Sequence, residues 1–242
     1  MCTVILAWQV FDEMPVIFAA NRDELLARPT DPPLLLANNP PRWGGRDRVA
    51  GGTWLAVDPS GRIGAVTNRH PGGRPPERDG SRQSRGALPL EVLRADDDPA
   101  MAWAEELDPI AYNPVNVIYA SRTAAFVTSL DDRIGRRTTQ LLPGVHVLTE
   151  QNVDDPDDPK TQYIRERATR MLAAAATPVQ LLAGLREVLR SHETPYDGSP
   201  ACIHGEVHGT VSSATVLVSA AGGVRYEHAE GTPCVTPFDR VV

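Results

Sequence analysis

A chain of 242 residues with 41% hydrophobic side chains carries enough apolar surface for a sizeable core in one large or two small domains. Its formal charge of −7 argues against a dedicated nucleic-acid binder, and it lacks the apolar run of about 18 residues that a membrane span needs. Three scattered cysteines, Cys2, Cys202 and Cys234, are too few for a disulfide framework, and the N-terminus lacks the basic and apolar regions of a signal peptide, so a reduced, cytoplasmic protein is expected.

In chain order, Thr3–Val10 is apolar and β-branched, Asp12-Glu13-Met14-Pro15 is turn-like and Val16–Ala20 is apolar again, which predicts a hairpin of two largely buried strands. The proline-rich stretch from Pro29 to Pro41 is expected to interrupt regular structure. Thr53–Val57, the turn Asp58-Pro59-Ser60-Gly61 and Ile63–Thr67 predict a second hairpin. An arginine-rich span follows, in which Arg62, Arg69, Arg74, Arg78, Arg82 and Arg85 face only Glu77 and Asp79. It reads as a solvated loop, with attraction of an anionic substrate as the alternative.

Gly86–Ala95 and Pro99–Leu107 read as helical, and Val115–Ala120, Ala124–Ser129 and Val145–Thr149 as strands. The acidic segment Asp154–Pro159 breaks structure and favours the N-terminus of the next helix, where Ile164, Ala168, Met171 and Leu172 share one face. Thr177-Pro178 supplies an N-cap and a proline at the first helical position, and Leu182, Leu185 and Leu189 continue that helix. Thr215–Ser219, Gly222-Gly223 and Val224–His228 form a strand pair around a glycine turn. No repeat or linker emerges, so residues 1–242 are expected to form a single domain. Fully apolar strands suggest sheets covered on both faces.

Cys2 is the most reactive prospect. Loss of Met1 would place a thiol and a free α-amine on one residue. The amine's ordinary pKa is about 7.7–8.0 and the thiol's about 8.5, so near neutrality the amine can take the thiol proton and later return it to a leaving group. The alternative is a small hydrophobe at the start of a strand.

Met1-Cys2-Thr3-Val4-Ile5, Ala20-Asn21-Arg22-Asp23-Glu24, Gly45-Arg46-Asp47, Gly51-Gly52-Thr53-Trp54-Leu55, Thr67-Asn68-Arg69, Ser84-Arg85-Gly86 and Leu142-Pro143-Gly144-Val145 together resemble the NRDE family, also called the transport and Golgi organisation protein 2 family. That family in turn resembles the N-terminal-nucleophile (Ntn) hydrolases with a cysteine nucleophile, such as choloylglycine hydrolase and penicillin V acylase. The resemblance implies an α+β fold, a four-layer αββα sandwich of two antiparallel sheets flanked by helices, with Cys2 at the start of a central strand. Eukaryotic members of the family are associated with secretory organisation and lipid metabolism, and a role in moving haem has been proposed for it.

Amide chemistry at such a thiol also needs a group to orient the amine and donors for the oxyanion. Asp23 is the candidate for the first role, because a hairpin from Cys2 through Asn21 can place the end of the second strand beside the start of the first; its alternative is to cap a helix beginning near Glu24. Arg22 would lower the thiol pKa or serve as an ion-pair partner, although Ala20 holds the position where those amidases carry arginine. Asn68 is the oxyanion donor or else a strand cap. Two further amidase positions differ here: Glu150 stands where asparagine is usual, with Asn152 two residues later, and Thr210-Val211-Ser212-Ser213 lacks an arginine.

Cys202, His204 and His208 offer a C-x-H-x₃-H spacing suited to zinc or haem iron. Structural zinc takes four ligands and no fourth stands nearby, so no metal and no cofactor is expected. Lys160 is a surface residue or a helix-start contact to a ligand, and Gly44-Gly45 and Gly51-Gly52 read as tight turns. The chain therefore reads as a thiol hydrolase of a small amide or thioester, acting through an acyl-Cys2 intermediate. The rival is a non-catalytic binder or trafficking protein for a hydrophobic ligand such as haem or acyl-CoA. The expected partner is a small-molecule substrate or such a hydrophobic ligand, without nucleic acid or a membrane span, and a homo-oligomer is left open.

Overall fold

The computed structural model describes residues 2–242 apart from Pro71, Gly73, Arg74 and Ala95. The readings that touch Met1, Arg74 and Ala95 therefore lie outside the described residues. In chain order come β1 (Thr3–Trp8), β2 (Val16–Leu25), β3 (Thr30–Asn38), β4 (Pro41–Asp47), β5 (Leu55–Val57) and β6 (Ile63–Asn68). The helices α1 (Leu88–Glu91) and α2 (Asp97–Glu106) follow, then β7 (Val115–Ala120), β8 (Ala125–Asp131), β9 (Gly135–Gln140) and β10 (Gly144–Leu148). After them come α3 (Pro159–Ala174), α4 (Pro178–Arg190), β11 (His208–Val218), β12 (Val224–Glu230) and β13 (Asp239–Arg240). The chain divides into two compact units. One takes residues up to Arg28, Pro143–Thr149 and Val153–Val242, and the other Pro29–Leu142 and Glu150–Asn152.

The first unit is a six-stranded antiparallel sheet in the order β10-β1-β2-β11-β12-β13. Its β1 is buried along its whole length and sits between β10 and β2. The β1–β2 hairpin pairs Thr3 with Asn21 and Trp8 with Val16. The second strand does not stop at Ala20, because β11 pairs with it from Val16 out to Leu25. This extended pairing excludes a helix beginning at Glu24 with Asp23 as its cap. Ile5, Ala7, Ile17, Ala19, Val145 and Val147 form one apolar face with Ile164 and Ala168 of α3 and Leu181, Leu185 and Leu189 of α4. Asp158 caps α3 by accepting from the amides of Lys160 and Thr161, and Thr177 caps α4 by accepting from Gln180, which satisfies donors that a helix N-terminus leaves open.

The second unit is a seven-stranded antiparallel sheet in the order β3-β4-β5-β6-β7-β8-β9. Its core joins Leu88, Val92, Leu93, Ala100 and Ala104 to Val115, Val117, Tyr119, Phe126 and Leu130. The Pro29–Pro41 stretch does not interrupt regular structure but supplies β3, an edge strand whose register slips between Asp31 and Leu34. Pro32 and Pro33 are accommodated there because an edge strand has one side on which no N–H is required. Gly44 and Gly45 lie within β4, not in a turn. A Cβ on Gly44 would stand 2.1 Å from the Leu55 carbonyl oxygen, so its absence lets β5 approach. The expected helix Gly86–Ala95 is a short α1 between two 3₁₀ turns.

Candidate functional site

Cys2 lies just before β1 and is half-buried, with its thiol directed at the main-chain oxygen of Asp23 at 3.9 Å. Burial pushes the thiol pKa up and the negative charge of Asp23 adds to the rise, while the positive charge of Arg22 opposes it. The net direction is upward, so Arg22 acts in the expected sense without dominating.

Asp23 is buried, and its Oδ1 accepts a hydrogen bond from the Thr210 hydroxyl at 2.6 Å. Burial raises its carboxyl pKa, and the charge of Lys160, the Thr210 hydroxyl and the charge of His208 counter that rise. Thr210 faces Asp23 across the β2–β11 pairing, at a bulge that leaves Val211 between two register partners, Thr210 and Ser212. Such a bulge re-aims a side chain next to a site. Thr210 is held in turn by Ile203, whose oxygen accepts from the Thr210 amide and whose amide donates to the Thr210 hydroxyl, both at 2.9 Å.

Strand alternation places Asn21 and Asp23 on the face shared with Ile17 and Ala19, and Arg22 on the other. The Asn21 amide donates to the carbonyls of Leu189 and Ala201 at 2.8 Å each. It thereby ties β2 to the C-terminal end of α4 and to the loop before β11. Arg22 is buried and makes a 3.8 Å ion pair with Glu24.

Thr210 and Lys160 were not legible as site residues. Lys160 is buried, not a surface group. The signal for it was positional: it stands in the first turn of α3, where the helix dipole disfavours a cation.

Asn68 belongs to the second unit, where it is the exposed last residue of β6 opposite Val115. The next residue, Arg69, is buried and pairs with Asp131 at 2.5 Å, with Asn152 at 3.0 Å and with Asn116 at 3.5 Å. Glu150 pairs with His70 at 3.0 Å. Glu150 and Asn152 are thus engaged inside this polar network. Most of the arginine-rich span is likewise taken up by tertiary partners: Arg62 by Asp58 and Asp96, Arg82 by Asp132, and Arg85 by the Pro114 carbonyl. The acids that answer these arginines lie mainly outside the span in sequence.

His208 is not part of the group around Cys202; His192, Cys202, His204 and Cys234 come together instead, each offering one ligand atom within 4.8 Å of the others.

The sequence family described as Transport and Golgi organisation 2 matches residues 1–233. The chain belongs to this family. The Transport and Golgi organisation 2 homologue of Bos taurus is 27% identical over 93% of this chain and 91% of that protein, and that of Homo sapiens is 25% identical over the same shares. The homologue of Mus musculus is 29% identical over 64% of this chain, a match spanning 59% of the mouse protein. Solved structures share the fold at low identity. The N-acylethanolamine-hydrolyzing acid amidase orthologue of Caenorhabditis elegans has a TM-score of 0.54 at 14% identity, covering 88% of this chain and 92% of that one. A cysteine-to-alanine variant of the conjugated bile acid hydrolase from Clostridium perfringens has a TM-score of 0.55 at 9% identity, covering 100% and 97%. This Transport and Golgi organisation 2 family member therefore has the α+β fold of Ntn hydrolases, two antiparallel sheets each with its own pair of helices. Among the described residues no helix is long and apolar enough to cross a membrane.

Proposed function

We propose that this protein is an N-terminal cysteine hydrolase of a small amide or thioester. The observation that carries the reading is the thiol of Cys2 at the head of an interior strand, against the main chain of a buried Asp23 whose carboxylate is fixed by Thr210. Shared fold with an acid amidase and a bile acid hydrolase supports it.

With Cys2 as the first residue of the mature chain, its α-amine takes the thiol proton and the sulfur attacks the substrate carbonyl. The carbon–nitrogen or carbon–sulfur bond then breaks, and the proton passes to the leaving amine or thiol. Water, deprotonated by the same amine, releases the acyl group from sulfur as an acid. In this reading Asp23 orients the amine and Arg22 offsets the charge at sulfur.

Three measurements test it on the intact protein. Intact mass reads whether Met1 is absent; its full retention overturns the reading. A panel of acyl amides and acyl thioesters of increasing chain length reads turnover, and quenching a turnover mixture before mass analysis reads an acyl adduct on Cys2. Full turnover in Cys2→Ala overturns the mechanism.

The alternative is a non-catalytic carrier of a hydrophobic ligand such as haem or acyl-CoA. Stoichiometric binding of either, unchanged in Cys2→Ala and without turnover on the panel, would establish the carrier instead.

A further inference from the structure

A second cluster lies in the first unit, built from three segments that meet beyond the end of α4. His192 follows the helix, Cys202 and His204 sit in the loop that leads to β11, and Cys234 sits between β12 and β13. Cys202 is fully buried, Cys234 is half-buried, and the two imidazoles are exposed. The two sulfur atoms are 3.7 Å apart, Nε2 of His204 is 3.1 Å from the Cys234 sulfur and 3.8 Å from that of Cys202, and the two imidazole centroids are 4.9 Å apart.

These separations match a specific chemistry. Zinc binds thiolate at about 2.3 Å and imidazole at about 2.0–2.1 Å in tetrahedral sites, which puts two sulfur ligands about 3.8 Å apart and a sulfur and a nitrogen about 3.5 Å apart. An S₂N₂ donor set suits zinc and disfavours magnesium and calcium, which prefer oxygen. The outer hydrogen bonding fits as well. Nδ1 of His192 lies 3.0 Å from the Cys202 carbonyl, and donation there leaves the other ring nitrogen bare, the arrangement that orients metal-bound histidine. The Cys202 amide is anchored to the Ser191 carbonyl at 3.0 Å, which holds two of the ligand segments together.

We propose that His192, Cys202, His204 and Cys234 form a structural zinc site. Four protein ligands close the coordination sphere, so the metal has a bracing role and no open position for a substrate. What it braces is identifiable. Ile203 lies between two of the ligands and is bonded in both directions to Thr210, and Thr210 holds the carboxylate of Asp23. Zinc at this corner would fix the loop that supports Asp23, and it would do so whether or not Cys2 is catalytic.

The test uses untagged full-length protein from zinc-supplemented culture, kept under reductant and freed of loose metal by gel filtration. One zinc per chain is expected by elemental analysis, with an apparent melting temperature that falls on chelation and recovers when Zn²⁺ alone is returned. Stripped wild-type protein titrated with Co²⁺ is expected to show thiolate-to-cobalt charge transfer and the strong visible bands of a tetrahedral ion. Cys234→Ser and His192→Ala should weaken Zn²⁺ binding by more than the roughly 10–100-fold that loss of an outer-shell contact costs, whereas His208→Ala should retain the metal. Zinc well below one per chain, a cobalt spectrum without sulfur charge transfer, or a Cys202–Cys234 disulfide in place of metal would each overturn the proposal. The cobalt titration of wild type decides the matter even where a ligand variant fails to fold.

Discussion

Replacing Asn21 by alanine probes the joint that holds the NRDE segment in place. The side chain is 1% exposed and spends both amide hydrogens on carbonyls, those of Leu189 and Ala201 at 2.8 Å each. Leu189 lies in the last turn of α4, where carbonyls have no partner within the helix. Asn21 thus closes the end of α4 from another element. Each hydrogen bond contributes about 1 kcal/mol, and a buried acceptor left without a partner costs about 1–3 kcal/mol. The expected loss in Asn21→Ala is therefore about 3 kcal/mol. For a protein of this size that corresponds to a melting-temperature drop of roughly 6–12 °C.

Urea unfolding, fitted at an unchanged slope, measures the loss directly. Asn21→Asp supplies the sign test: its carboxylate would face two carbonyl oxygens, so the introduced acid has its folded-state pKa raised above the usual value of about 3.9. The variant should become less stable as pH rises through that range and recover as the acid takes up a proton. A loss below about 1 kcal/mol in Asn21→Ala, or an Asn21→Asp variant indifferent to pH between about 3 and 7, would refute the reasoning that this amide closes the end of α4.

Three further outcomes follow from neighbouring contacts. Because the Asp23 charge raises the Cys2 thiol pKa and the Arg22 charge lowers it, iodoacetamide alkylation of Cys2 should shift to lower pH in Asp23→Asn and to higher pH in Arg22→Gln; shifts in the same direction would contradict the electrostatics. Removing the cation in Arg69→Met strands the fully buried Asp131 and should cost about 3–5 kcal/mol in chemical denaturation. Burial opposes ionisation of Asp131, but hydrogen bonds from Arg69 and the amides of Ile134 and Arg133 hold its pKa below the usual range. Its contribution is then fully present above about pH 4 and lost as pH falls through the folded-state value, so Asp131→Asn should flatten the acid limb of the wild-type stability profile. Finally, a Cβ on Gly64 would stand 2.3 Å from the Pro89 carbonyl oxygen and 2.8 Å from a Val92 methyl. Gly64→Ala should therefore lower stability by about 1–3 kcal/mol, and a neutral result would show that α1 yields freely against β6.

The sequence by itself determined the elements whose signals are local. The β1–β2 hairpin, β5–β6, β7, β8, β10 and the paired helices α3 and α4 were legible because apolar periodicity, turn residues and N-caps act within a few residues of each other. It also singled out Cys2 as the candidate nucleophile. What escaped was set by distant partners. The polar edge strand β9 carries little hydrophobic pattern, as edges commonly do, and the first half of β11 is polar and extended because it pairs with Arg22, Asp23 and Glu24.

Only the tertiary structure joined Thr210 and Lys160 to Asp23, supplied acids from elsewhere for the arginine-rich span, and replaced His208 by His192 and Cys234 around Cys202. Thr210 stands 187 positions from Asp23. Residues so far apart converge through strand order and register, and those are fixed by the burial of whole faces of sheet and helix rather than by any spacing along the chain.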